Sequence, residues 1–456
     1  MTSRMPRASA RTPENDLSSF IPCYPVTRFG AVPDGETLAT AAIQAAIDAC
    51  HRAGGGMVWF PAGCFLSGTL SMRSRVTLHF AEGAVLLASG NRADYSMPHL
   101  IHAQDTDDIA LEGPGAIDGN SDAFYAECPT APSGLKRLDW APSPLIELIG
   151  CRNIRVETLT IRKAPRWTLR PKNCDKVRIR GIALLNDLRA PNSDGIDVDS
   201  DRDVIISDCH IEAGDDCIVL KTTDRGGPPQ STENVAVTNC VMVSSASALK
   251  LGTESLGDFR NCVFSNCVIR HSRTGIALLA KDGGTMESIQ FNNITMSTAP
   301  KWGQGVEWPI VIDSEQRHPD SRLSIIRDIS ISDVTLTTRG RILVQGQAGA
   351  PVDGLVLRNI TMRITGYEAV EGAAKLSGGR RSNQNVLDLG DTPAALILAH
   401  LKGLFLDGVT VKWPDVPDAP VRHAVYGQNL QDCDLGGLRG GACGGMDVEA
   451  VVIAGA

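Results

Sequence analysis

Val204-Ile205-Ile206-Ser207-Asp208-Cys209-His210-Ile211 is one copy of a phrase that recurs through most of this 456-residue chain. Its apolar positions Val204, Ile206, Cys209 and Ile211 alternate around an Asp at a bend. The pattern returns at Ile154, Val156, Leu159 and Ile161, at Val177, Ile179, Ile182 and Leu184, and at Val235, Val237, Cys240 and Met242. Further copies contain Cys262 to Ile269, Ile289 to Met296, Ile329 to Leu336, Leu355 to Met362 and Leu404 to Val411. From Leu159 to Val409 the steps between copies are 23, 27, 31, 27, 27, 40, 26 and 49 residues. A period of two turns one side of a strand inward, and a single rung cannot bury that side alone. Steps in the twenties therefore read as bare coils of a β-solenoid, and the longer steps as coils that carry loops.

Any all-β protein has alternating segments, but nine copies, most with an Asn or Asp at the bend, favour an all-β, single-stranded right-handed parallel β-helix over a sandwich. Between the copies no helical run of ten or more residues intervenes, which argues against an α/β barrel. One helical pattern precedes them: Ala41, Ile43, Ala46, Ile47 and Ala49 share a face within Thr40 to His51, and Gly54-Gly55-Gly56 follows. Such a helix is expected to cap the open end of the solenoid. Residues 1–20 read as a flexible N-terminal segment and 21–456 as a single domain, because a solenoid lengthens without needing a boundary.

Composition removes several function classes. The formal net charge is -8, with 44 Lys and Arg against 52 Asp and Glu and no basic stripe, so no nucleic-acid partner is expected. No run of 18 apolar residues offers a membrane span. Arg4, Arg7 and Arg11, with several prolines and no apolar stretch, do not read as an export signal. A chain complete as given is expected in the cytoplasm; one that has lost a leader is expected to be secreted or periplasmic. Thirteen cysteines are an odd number, and Cys209, Cys240 and Cys267 share one phase of the repeat, so a buried thiol ladder is expected. Without a CxxC pair or a His-rich cluster, no metal and no other cofactor is expected. Monomer and homo-oligomer both stay open.

Asn192-Ser193-Asp194-Gly195 and Gly214-Asp215-Asp216-Cys217 lie about one coil apart, so successive rungs bring Asp194, Asp215 and Asp216 to one patch. Asp-Gly and Asn suit tight turns, which is the structural alternative, but a bend does not require two adjacent aspartates. Glycosidases need one protonated acid and one ionised base, and three neighbouring carboxylates resist being charged together. A carbohydrate-cleaving enzyme is the leading reading. A polysaccharide lyase on the same fold and a non-catalytic glycan-binding solenoid are the alternatives.

Phe29-Gly30-Ala31-Val32-Pro33-Asp34-Gly35, Gly54-Gly55-Gly56-Met57-Val58-Trp59-Phe60-Pro61 and Gly113-Pro114-Gly115-Ala116-Ile117-Asp118-Gly119 resemble the opening coils of glycoside hydrolase family 28, the polygalacturonase family. Pro165-Arg166-Trp167-Thr168-Leu169 resembles that family's segment before the active coils, and the likeness reaches about residue 415. The resemblance implies inverting hydrolysis of a pectin-related or other acidic or neutral glycan. It implies Asp215 as general acid, with Asp194 and Asp216 holding and deprotonating the attacking water. Two departures stand out: Ser247 occupies the place of the family's histidine, and Ala277-Leu278-Leu279 the place of its Arg-Ile-Lys. Strict homogalacturonan specificity is therefore not expected.

Lys250 and Glu254, one coil beyond Asp215, are candidate substrate-binding residues, as is Lys221. Leu249 and Leu251 take the inward phase, which turns Lys250 outward, toward substrate or into a salt bridge. Arg273 and Lys281, with Asp282, surround the next coil as a further candidate subsite; His271 sits at a bend within reach of the groove. Trp302 and Trp308 are the candidate stacking residues in the loop-bearing step, and Trp167 reads either as a stacking residue or as a core filler. The Gly-, Ser- and Arg-rich stretch from Gly366 to Pro393 reads as a solvated excursion at a rim or lid.

Overall fold

The computed structural model describes residues 22–224, 226–301, 307–366, 394–414, 423–443 and 449–454. Its described strands form one 37-stranded sheet system and one two-stranded hairpin. Pairing in the large system is parallel and runs from each rung to the next, as in Val177↔Val204, Val204↔Val235, Val235↔Cys262, Cys262↔Ile289 and Ile289↔Ile329. This is the right-handed parallel β-helix that the repeat announces. Trp302 and nearly all of the stretch from Gly366 to Pro393 lie outside the described residues.

At the bend of most rungs an Asn or Asp adopts the left-handed conformation, with Thr158, Gly181 and Gly408 in that place on three others. Asp208, Asn239, Asn266, Asn293, Asp333 and Asn359 occupy equivalent bends with φ between 51° and 59°. Asn and Asp tolerate this region better than other side-chain-bearing residues. They also bond from rung to rung: Asn239 Nδ2 donates to Asp208 Oδ1 at 3.2 Å, and Asn293 Nδ2 to Asn266 Oδ1 at 2.7 Å. The shared bend residue in the sequence phrase is thus a conformational requirement and a ladder at once.

The interior is filled by columns of like residues. Phe264 and Phe291 stack at 4.6 Å with their planes 8° apart, and Phe60 and Phe80 stack at 4.5 Å. Cys209, Cys240 and Cys267 are buried, and each thiol donates to the carbonyl two residues before it, at 3.1 to 3.3 Å. Helix α1 (Thr40–Arg52) turns Ile43, Ala46, Ile47 and Cys50 onto the first rungs and covers that end of the core. Among the described residues no helix is long and apolar enough to cross a membrane.

One sheet carries the residues that matter for chemistry. Its consecutive strands are β1 (Leu169–Lys172), β2 (Ile196–Asp199), β3 (Ile218–Thr222), β4 (Ser247–Ser255), β5 (Thr274–Ala280) and β6 (Trp308–Ser314). Ile196, Ile218, Leu249, Ile276 and Ile310 form its fully buried inward column. Outward from the same sheet, Asp197 stands beside Val219, Val219 beside Lys250, and Lys250 beside Ala277. Lys250 therefore faces away from the core, as the alternation of Leu249 and Leu251 requires.

Phe264→Ala removes half of a stacked pair from a column that cannot collapse without shifting the rungs. It is expected to cost about 3–5 kcal/mol, whereas Asn266→Ala at the surface bend is expected to cost about 1 kcal/mol. Urea denaturation of the two variants measures the difference.

Candidate active site

Backbone bonds between successive rungs build the site. Thr168 N–H donates to the Asp194 carbonyl at 3.0 Å, Gly195 N–H to the Asp216 carbonyl at 2.8 Å, and Cys217 N–H to the Ser247 carbonyl at 2.9 Å. Ser193 locks the two aspartate motifs together: its buried hydroxyl donates to the Ala190 carbonyl at 2.8 Å and accepts from Gly214 N–H at 3.1 Å. The rungs are so close here that a side chain does not fit. A Cβ on Gly214 would stand 2.2 Å from the Ala190 oxygen, and one on Gly195 2.4 Å from the Cys217 oxygen. The glycines of both motifs are thus explained by close approach.

Asp194, Asp215 and Asp216 converge so that one carboxylate oxygen from each lies within 4.8 Å of the others. Asp194 and Asp216 are buried, and Asp215 is half-buried at the groove surface. Asp216 accepts Ser247 N–H at 3.1 Å and the Lys250 ammonium at 2.7 Å, a donor set suited to a carboxylate. Asp215 accepts Asn192 Nδ2 at 3.3 Å, and its carbonyl accepts the Ser244 hydroxyl at 2.6 Å. Asp194 Oδ1 is buried without a hydrogen-bond partner. These three are the described residues close enough together to share a cation, but the Lys250 ammonium already rests on an Asp216 oxygen.

Burial, and then the neighbouring Asp216, push Asp215 up to about 6, against the opposing pull of Lys250, Lys221 and Arg273. Burial and then Asp215 hold Asp194 well above the usual carboxylate range. Crowded carboxylates titrate as a set, and this set retains a proton where isolated aspartates have lost theirs. The patch offers a proton donor beside a carboxylate paired to an ammonium, the two protonation states that acid–base hydrolysis needs.

The other sequence candidates divide into groups. Lys250 touches the patch directly. Arg273 carries a positive charge that bears on Asp215. Lys221 is buried beneath the patch, 3.1 Å from Glu254 and 3.6 Å from Asp197, with its ammonium 4.6 Å from the centre of the Trp167 ring. Burial disfavours its charge, but Asp197 and then Glu254 outweigh burial and raise its pKa. Burial opposes ionisation of Glu254 too, yet Lys221 and Lys250 hold it down to about 2. Lys281 is buried in ion pairs with Asp313 and Glu315. Trp308 is only 6 % exposed and packs among Ala277, Val311 and Leu343, which leaves little ring face for a sugar. His271 is exposed at a left-handed bend, where its N–H donates to Ser297 Oγ at 3.0 Å; no described contact joins it to the aspartates.

The structure adds residues that sequence reasoning did not assign. Asn192, inside the first motif, bonds Asp215. Asp197 is buried against Lys221, and burial brings it to about 7. Its outward phase in Ile196-Asp197-Val198-Asp199 was the available signal. Trp167, which the sequence left between stacking and core filling, is partly exposed, with Arg170 5.0 Å and Lys221 4.6 Å from its ring centroid.

The raised pKa of Asp215 makes folding depend on pH. Between the unfolded value of 3.8 and the folded value of about 6 the native state holds a proton that the unfolded chain has lost, so stability falls as pH rises through this window. Asp215→Asn is expected to melt higher than the parent at pH 8, by an amount of order 1–2 kcal/mol, and to show no such gain at pH 4. Thermal denaturation at the two pH values measures it.

Comparison with known proteins places this arrangement. The model of glycosyl hydrolases family 28 matches residues 50–375. A probable polygalacturonase of Vitis vinifera is 27% identical over 369 residues, which cover 74% of this chain and 73% of that protein. An endo-polygalacturonase of Pectobacterium carotovorum subsp. carotovorum is 23% identical over 352 residues, covering 71% and 84%. Among solved structures, the family 28 exopolygalacturonase of Yersinia enterocolitica superposes with a TM-score of 0.71 at 20% identity, covering 91% of this chain and 78% of that one. A hyperthermoactive exopolygalacturonase from Thermotoga maritima gives 0.65 at 22% identity, covering 76% and 88%. A family match that runs from the first rungs through both aspartate motifs and the Lys250 strand makes this chain a member of glycosyl hydrolases family 28.

Proposed function

We propose that the protein hydrolyses a glycosidic bond in a pectin-related glycan by a single displacement with inversion. Asp215 is the general acid, and Asp194 and Asp216 hold and deprotonate the attacking water. The observation that carries this reading is the cluster of three carboxylates within 4.8 Å, one of them paired to Lys250, in the groove of a family 28 solenoid. The half-buried Asp215, raised to about 6, suits proton donation to a leaving oxygen. The carboxylates stand closer than the roughly 6.5–9.5 Å usual for inverting pairs, so in this proposal the water is held directly beside the acid, and Asp216, paired to Lys250, takes its proton.

The relatives named as polygalacturonases support a pectin-related substrate. Ser247 contributes a backbone N–H to Asp216, Ala277 is buried, and Lys281 is bound to Asp313 and Glu315. Those replacements support a specificity other than unbroken homogalacturonan.

Asp215→Asn is expected to lower kcat by about 10²–10⁴-fold on whichever pectic oligosaccharide the parent cleaves. In the parent, kcat/KM is expected to decline as pH rises through about 6, because Asp215 loses its proton there. Reducing-end assays measure both quantities, and proton NMR reads the configuration of the first anomer released. A retained anomer would remove the single-displacement mechanism; unsaturated products would replace hydrolysis with elimination; glycan binding without turnover would leave a binding module.

A further inference from the structure

The hairpin formed by Tyr125–Glu127 and Leu135–Arg137 is an insertion that leaves the solenoid and returns against the catalytic rungs. It is fixed there at several points. The Tyr125 hydroxyl is 2.6 Å from the Pro165 carbonyl and 3.1 Å from the Pro191 carbonyl. Those two prolines immediately precede Arg166 and Asn192, and Asn192 is the residue that bonds Asp215. Glu127 meets Arg189 at 3.1 Å, while Phe124 and Tyr95 pack their rings on Trp140.

The strand register sets Arg137 directly across from Tyr125, on the side of the hairpin that is pinned beside Arg166. Burial and then the positive charge of Arg137 disfavour the charge on Arg166, while Asp194 favours it. Neighbouring arginines make a site for a shared anion. Here the hairpin's Glu127 and the adjoining Asp187 are both engaged with Arg189, and no described carboxylate forms an ion pair with Arg166 or Arg137. Arg166 Nε is buried with no hydrogen-bond partner. A fork of guanidinium donors beside a sugar-cleaving patch matches a carboxylate in geometry as well as in charge. The outward neighbours of Lys250 in the sheet, Val219 and Ala277, offer a carboxylate nothing.

We propose that Arg166 and Arg137 bind the carboxylate of a uronic acid unit seated on the hairpin side of the three aspartates. The inference rests on the glycosidase reading of the groove and adds to it where the acidic sugar sits. Arg166 approaches from the solenoid beside Asp194, and Arg137 from the inserted hairpin, so the acidic unit is held between the wall and the floor of the groove.

The test is calorimetric titration, in the Asp215→Asn background so that ligand is not consumed, with galacturonate and glucuronate oligosaccharides and their carboxyl-reduced counterparts. Arg166→Gln and Arg137→Gln are each expected to weaken uronate binding at least tenfold and leave binding of the reduced ligands unchanged. Arg166→Lys is expected to recover part of the loss. Arg137 is exposed, so its substitution tests the proposal even where Arg166→Gln does not fold. Equal loss on acidic and reduced ligands, undiminished uronate binding in both Gln variants, or no uronate binding in the background protein overturns the proposal. Arginine-dependent uronate binding without turnover by the parent enzyme would sink the hydrolase reading and leave this one standing. Turnover by the parent with uronate binding indifferent to both arginines would do the reverse.

Discussion

Everything distinctive in this molecule depends on the parallel hydrogen-bond ladder between successive rungs. It stacks each residue on its counterpart one coil away, at the roughly 4.8 Å strand spacing, whatever the charge of the two. Cysteine stacks on cysteine and phenylalanine on phenylalanine, and just before β2 the Gly195 N–H donates to the Asp216 carbonyl, a ladder step that brings the Asp194 and Asp216 carboxylates to one patch. Like charges that a free chain would keep apart are held together by backbone bonds that are indifferent to them. The cluster persists because it can keep a proton and because Lys250 stands beside Asp216.

The cations beneath the patch follow from the same constraint. The outward face of β2 carries acidic Asp197 and Asp199, and Lys221 stands opposite Asp199 with its ammonium between Asp197 and Glu254. A buried pair of this kind contributes little net stability, since desolvation offsets most of the attraction. Its value is positional: the Lys221 ammonium lies against the Trp167 ring, and Trp167 belongs to the rung that precedes Asp194. The floor of the groove is thereby fixed by electrostatics where apolar packing ends.

The solenoid, the capping helix and the convergence of Asp194, Asp215 and Asp216 were all legible in the sequence, because each rests on a period. Alternation exposed Val204, Ile206, Cys209 and Ile211, and the spacing of the two motifs matches one coil. The outward turn of Lys250 followed from Leu249 and Leu251 by the same arithmetic of two. Contacts made through insertions have no period, and they stayed hidden. Nothing in the sequence joins Tyr125 to Pro191, sixty-six residues on, or sets Arg137 near Arg166. The capture of Lys281 by Asp313 and Glu315 was hidden for another reason, since a lysine at a groove rung reads the same whether it meets substrate or a carboxylate thirty residues away.

The rungs that carry Asp194, Asp215 and Asp216 lie in the middle of the stack, and helix α1 closes one end. In a one-dimensional array each unit leans only on its neighbours, so melting starts at an unprotected end and travels inward. The groove at Asp215 is therefore among the last regions to lose its shape on warming. Several terminal coils can fray and reform while the chemistry continues, and nicking by proteases at the far end need not silence the enzyme.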